Sequence, residues 1–179
     1  MTLDSDELAG VCDLFGGLTR AELADAVADL AARRGDDHDR DSHDAAVEDA
    51  RETYALVEID GGVGLDFADL DADAPLLVPG PRAFPTLPDG GEDLPHLLDA
   101  PRRDLPRETV ETAVRARLDA DVAALAATGA EDDETETADT SGDDASATDP
   151  DLLLDVTYDA AALTGADFAD VREAIDDAR

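Results

Sequence analysis

A chain with 47 acidic residues against 13 basic ones can fold only if nearly every carboxylate stays in water. The formal net charge is −34, whereas a small soluble domain ordinarily carries a net charge of magnitude roughly 2–8. All the basic residues are Arg, and the chain contains no Lys, Asn or Gln. Such a charge suits either a disordered acidic chain or a fold adapted to molar salt. Apolar residues recur at helical spacing over much of the sequence, which favours the fold. At 1 M salt the Debye length shrinks to about 3 Å, so neighbouring acids hardly repel one another. The composition therefore reads as halophilic.

The apolar content of 43% allows a core, built mainly from Ala, Leu and Val. Ala and Leu are the strongest helix formers, so the expected fold class is α+β, mainly helical. The single cysteine, Cys12, allows no intrachain disulfide and reads as a small buried hydrophobe. Apolar runs fall far short of the ~20 residues that span a bilayer, and MTLDSDELAG lacks the features of a signal peptide. A soluble, cytoplasmic protein is expected.

Asp4 or Ser5 can cap a first helix whose apolar face is Leu8, Val11, Cys12 and Phe15. Gly16 and Gly17 end it. Thr19 with Glu22 forms a capping box for a second helix, striped by Leu23, Ala26, Val27 and Leu30 and stopped at Gly35. Ser42 is the expected cap of a third helix running to about Tyr54. Residues 54–67, YALVEIDGGVGLDF, then change period and place a hairpin around Asp60-Gly61-Gly62. Leu76, Leu77 and Val78 can add a third short strand. Three helices followed by a hairpin is the order of a winged helix-turn-helix, so a winged-helix-like N-terminal part is expected.

Residues 75–105 form a proline-rich connection, with a short helical turn at Asp93–Leu98. A long helix follows at 106–128, with a seam of Val110, Val114, Leu118, Val122 and Leu125. The expected main domain is thus 1–129. Residues 130–150 carry no large apolar side chain and read as a disordered acidic linker. Residues 151–179 form a short element, read as helical, that packs back on the main domain. In it, Asp167 can cap a last helix faced by Phe168, Val171 and Ile175.

Motifs for chemistry are sparse. No GxxxxGK[ST], GxGxxG or GxSxG occurs. His38 and His43 sit in DDHDRDSHD, which lacks zinc spacing and the ligand pattern of an EF-hand; it reads as a solvated loop. No catalytic, cofactor or metal site is assigned, and the enzyme reading is disfavoured. Nucleic-acid binding meets a charge objection. The third helix would be the recognition helix, yet its exposed positions include Asp44, Glu48, Asp49 and Glu52, with Arg51 its only base after Ser42. Phosphate contacts need Lys or Arg.

The bases do cluster. Arg82, Arg102, Arg103, Arg107, Arg115 and Arg117 fall between Val78 and Leu118, against seven acids there. That segment is therefore either buried or in contact with a partner. The candidate partner contacts are Arg82, Phe84, Leu87, His96, Arg102 and Arg103. The expected function is a non-enzymatic regulatory or adaptor module that binds another protein. One alternative is a winged-helix regulator on DNA, which needs a basic patch from Arg33, Arg34 and Arg51 or from the 102–117 group. Another is a small hydrolase or metal-dependent enzyme, which needs a pocket that gathers His96 with acids.

Three runs carry a resemblance: DELAGVCDLFGGLTRAELADAVADLAARRG, VPGPRAFPTLPDGGEDLPHLLDAPRR and LLLDVTYD. Together they resemble an uncharacterised family of acidic haloarchaeal proteins, with a helical N-terminal module, a proline-rich centre and a short C-terminal element. The resemblance implies a halophilic, soluble archaeal protein. It implies no activity and carries over no functional residue.

Overall fold

The computed structural model describes residues 2–60, 74–98, 100–129 and 149–179. Most of the α-helices begin where a carboxylate or hydroxyl takes up a free N–H group of the first turn. In α1 (Ser5–Phe15) Asp4 is the cap, and Glu7 closes a capping box. In α2 (Arg20–Arg34) Thr19 and Glu22 do the same, and Gly35 ends the helix in the left-handed conformation. The helix α3 (Arg40–Glu52) starts two residues before the expected Ser42, because Asp39 caps it. Ser42 instead donates its hydroxyl to the Asp39 carboxylate at 2.7 Å.

Among the described residues, three short strands form one antiparallel sheet: β1 (Leu18–Thr19), β2 (Leu56–Ile59) and β3 (Leu76–Pro79), in the order β1-β3-β2. The two-residue β1 was not expected. Thr19 both caps α2 and pairs with Leu76. The expected third strand is real, and it is the central one. The return arm of the hairpin around Asp60-Gly61-Gly62 lies outside the described residues. Among the described residues, β2 pairs with β3, setting Val57 against Val78 and Ile59 against Leu76.

Alternation along the strands divides the core in two. Leu56 and Leu77 point into a cluster with Leu8, Phe15, Leu23, Leu30 and Val47 from the first three helices. Val57, Ile59, Leu76 and Val78 point the other way, into a cluster with Val114, Leu118, Val156, Phe168 and Ile175. That second layer is α4 (Arg107–Gly129), α5 (Pro150–Thr164) and α6 (Ala169–Asp177). The seam on α4 is intramolecular: Val114, Leu118 and Val122 are buried, and Val110 and Leu125 pack beside them. The C-terminal element is helical and covers the sheet. Asp167 accepts from the Ala169 N–H at 2.9 Å at the start of α6. Of the acidic linker, residues 130–148 lie outside the described residues.

The sheet is thus covered on both faces, which is why β3 reads as an unbroken apolar run. Tyr54 stands where α3 turns into β2. It is fully buried with φ at +61°, the one described non-glycine residue in that region. Its hydroxyl donates to Asp121 of α4, and Arg117 stacks on its ring at 3.9 Å. This side chain ties the N-terminal half of the molecule to the second layer.

Candidate interaction surface

Between β3 and α4 the described residues take no regular structure except a 3-10 helix at Gly91–His96. It lies as a strap along α1. Near the start of α1, the Thr86 N–H donates to the Asp6 carbonyl at 3.0 Å, and the Phe84 N–H to the Asp6 carboxylate at 2.9 Å. At the other end, the Arg103 N–H donates to the Phe15 carbonyl at 2.7 Å. The approach is close because α1 has glycine there. A Cβ on Gly10 would sit 2.1 Å from the Thr86 oxygen, and one on Gly16 would sit 1.9 Å from the Arg103 oxygen. Between these fastenings Leu94 is fully buried in the first core.

The strap separates the six candidate contacts. Arg103 is turned inward and is only 5% exposed. Its guanidinium donates to both Glu22 oxygens, at 2.7 and 3.0 Å, and to the Gly17 carbonyl at 2.8 Å. The expectation that Arg103 meets a partner is corrected: its charge is spent inside, on the carboxylate that also closes the α2 capping box. Burial by itself pushes the Glu22 carboxyl up. The bonds from Arg103 and from the Thr19 N–H outweigh that and hold it below the ordinary glutamate range.

The other five stay outside. Phe84 is 78% exposed and Leu87 42%, joined by Leu97 at 45%. Arg82, His96 and Arg102 are exposed. Neither Arg82 nor Arg102 enters an ion pair among the described residues. Arg82 borders an open cavity of about 510 Å³ beside Asp4, Asp6 and Thr53. The strap therefore has two sides. Its backbone, Leu94 and Arg103 hold the body, while Phe84 and Leu87 stand in water.

The exposed face of α3 has a different character. Asp41, Asp44, Glu48, Asp49 and Glu52 are all exposed on it. Arg20 and Arg51 share Glu48 and Glu58 in a closed ring of four ion pairs, from 2.6 to 3.4 Å. The ring links the start of α2 to α3 and β2, and nothing in the spacing of its members announces it. Most of the other arginines proposed for a basic patch are also engaged, while Arg102 and Arg107 enter no ion pair among the described residues. Arg33 pairs with Asp29, Arg115 with Asp170 and Arg117 with Asp121. Arg34 donates to the Asp89 carbonyl.

Among the described residues, no group of three or more His, Cys, Asp or Glu side chains is placed to hold a metal ion. No described helix is long and apolar enough to cross a membrane. The reading of DDHDRDSHD as a solvated loop needs correction: His43 lies in the first turns of α3 and is only 4% exposed. A model of a family of unknown function, DUF7109, matches residues 6–179. No curated protein and no solved structure matches the chain.

Proposed function

We propose that this chain, which belongs to the family of unknown function DUF7109, is a non-enzymatic, halophilic winged-helix module that binds another protein through its strap. The winged-helix reading rests on the order α1-β1-α2-α3-β2-β3 and the sheet order β1-β3-β2. In that architecture α3 takes the place of the recognition helix.

One observation carries the choice of partner. The exposed side of α3 is a row of carboxylates, while the strap holds Phe84 out at 78% exposure. DNA affinity comes mainly from phosphate neutralisation by Lys and Arg. Here Arg20 beside α3 and Arg51 on it are already neutralised by Glu48 and Glu58. Apolar contacts suit a halophilic interior better, because molar salt screens charge steering to within about 3 Å yet strengthens burial of apolar surface. A large aromatic side chain held on a strap fastened at both ends is also cheap to bury, since most ordering entropy is already spent.

The test is affinity capture from host extract at molar salt, comparing the wild type with Phe84→Ala/Leu87→Ala. Eluates are analysed for protein and for DNA. A specific protein captured by the wild type and lost in the double variant supports the proposal. Enriched DNA, retained by the double variant, replaces it with the DNA-regulator reading.

A further inference from the structure

The histidine pair at the start of α3 is used neither by the core nor by the strap. His38 precedes the helix, and His43 is buried on it. Their ring centroids are 5.5 Å apart and tilted by 60°. Both ring nitrogens of His38 are buried, and neither has a hydrogen-bond partner. Buried polar atoms are nearly always matched in native folds, and an exception calls for a ligand or a water. An imidazole with two such nitrogens, packed beside a second imidazole, is the arrangement of a pair of metal donors.

The spacing agrees. Zinc–imidazole bonds are about 2.0–2.1 Å long, so two rings that share one tetrahedral ion have centroids roughly 5–5.5 Å apart. A carboxylate accompanies each ring, since Asp39 interacts electrostatically with His38 and Asp44 with His43.

We propose that His38 and His43 together bind one divalent transition-metal ion, with zinc as the best fit and water completing the shell. Imidazole donors select ions of this class over Mg²⁺ and Ca²⁺, which take oxygen ligands. No third described side chain joins the pair, so the site is open, and an ion in it would pin the α2–α3 connection to α3. The site is independent of the strap and stands or falls separately from the protein-binding reading.

The experiment uses the full chain in molar salt at pH 7.5. Co²⁺ is titrated in and followed by its visible absorption, then displaced with Zn²⁺. The comparison set is the wild type, His38→Ala, His43→Ala and His96→Ala. The wild type and His96→Ala should saturate at a single ion per chain. His38→Ala and His43→Ala should each bind at least about tenfold more weakly, as losses in the ligand shells of metal sites do. His43 is buried, so circular dichroism checks that its variant is folded, and His38→Ala, outside the helix and only partly buried, decides if it is not. No saturable binding by the wild type overturns the proposal. So does undiminished binding by folded His38→Ala, which would mean diffuse capture by surface carboxylates.

Discussion

Arg103 is almost wholly withdrawn from solvent while Arg102, one peptide bond away, remains in it. The difference comes from Glu22 and Gly17, both more than eighty positions distant in sequence, so the dipeptide itself could not reveal it. Removing one member of a buried pair strands the other. Arg103→Ala should therefore cost about 3 kcal/mol, the low end for such pairs because Glu22 keeps some contact with water. Arg102→Ala should change stability by less than about 0.5 kcal/mol. Denaturant melts of both variants in molar salt measure the contrast. Equal, small losses would mean that Arg103 does not hold the strap down.

Cys12 is the opposite case, fully legible from its place on the apolar face of α1. It is completely buried, and burial pushes its thiol well above the ordinary cysteine range. Only the thiolate is nucleophilic. Iodoacetamide at pH 8 should leave the native protein unlabelled and label Cys12 fully in denaturant.

At the scale of elements, helix starts were the most readable feature, because a cap and its partner lie within four residues. Thr19 with Glu22 closes the expected capping box and Asp4, one of two expected caps, caps α1, while Asp167 stands one residue before the Phe168 N-cap and still accepts from the Ala169 N–H. The start of α3 was misplaced because Asp39, Asp41 and Ser42 are competing caps, and only packing decides among them. The strap's fastening was not legible at all. It depends on backbone groups of Asp6, Phe15, Thr86 and Arg103, which carry no side-chain signature. Gly10 is the nearest thing to one, since its missing Cβ lets Thr86 approach. Gly10→Ala should lower stability by about 1–3 kcal/mol through overpacking, although Ala is the better helix former. A variant as stable as the wild type would show that the strap lies less tightly on α1.

At the scale of the whole molecule, acid excess and core are kept apart, and the ion pairs of Arg103, Arg115 and the Arg20–Arg51 ring join elements. Glu22 and Glu48 both titrate below the ordinary glutamate range. Burial raises each carboxyl, but bonds from Arg103 and Thr19 in one case, and from Arg20 and Arg51 in the other, lower them further. A depressed carboxyl binds fewer protons folded than unfolded. Its contribution is complete above the unfolded value of about 4.3 and is lost as pH falls through the lower, folded value. His43 adds the same sign at a higher pH, because its folded pKa is also depressed. Its contribution is complete above about 6.5 and fades below that. The melting temperature should thus fall in two stages as pH drops from 8 to 3. Glu22→Gln should flatten the lower stage and leave the upper one intact, and a wild type that gains stability on acidification would contradict the ion-pair account.

The central claim is that the strap, and not α3, meets the partner. A photo-crosslinking amino acid placed at position 84, and separately at Ala45 on the exposed side of α3, tests it in the host at native salt. The account predicts a discrete protein adduct from position 84 and none from position 45. Crosslinks to DNA from position 45, with position 84 silent, would contradict it.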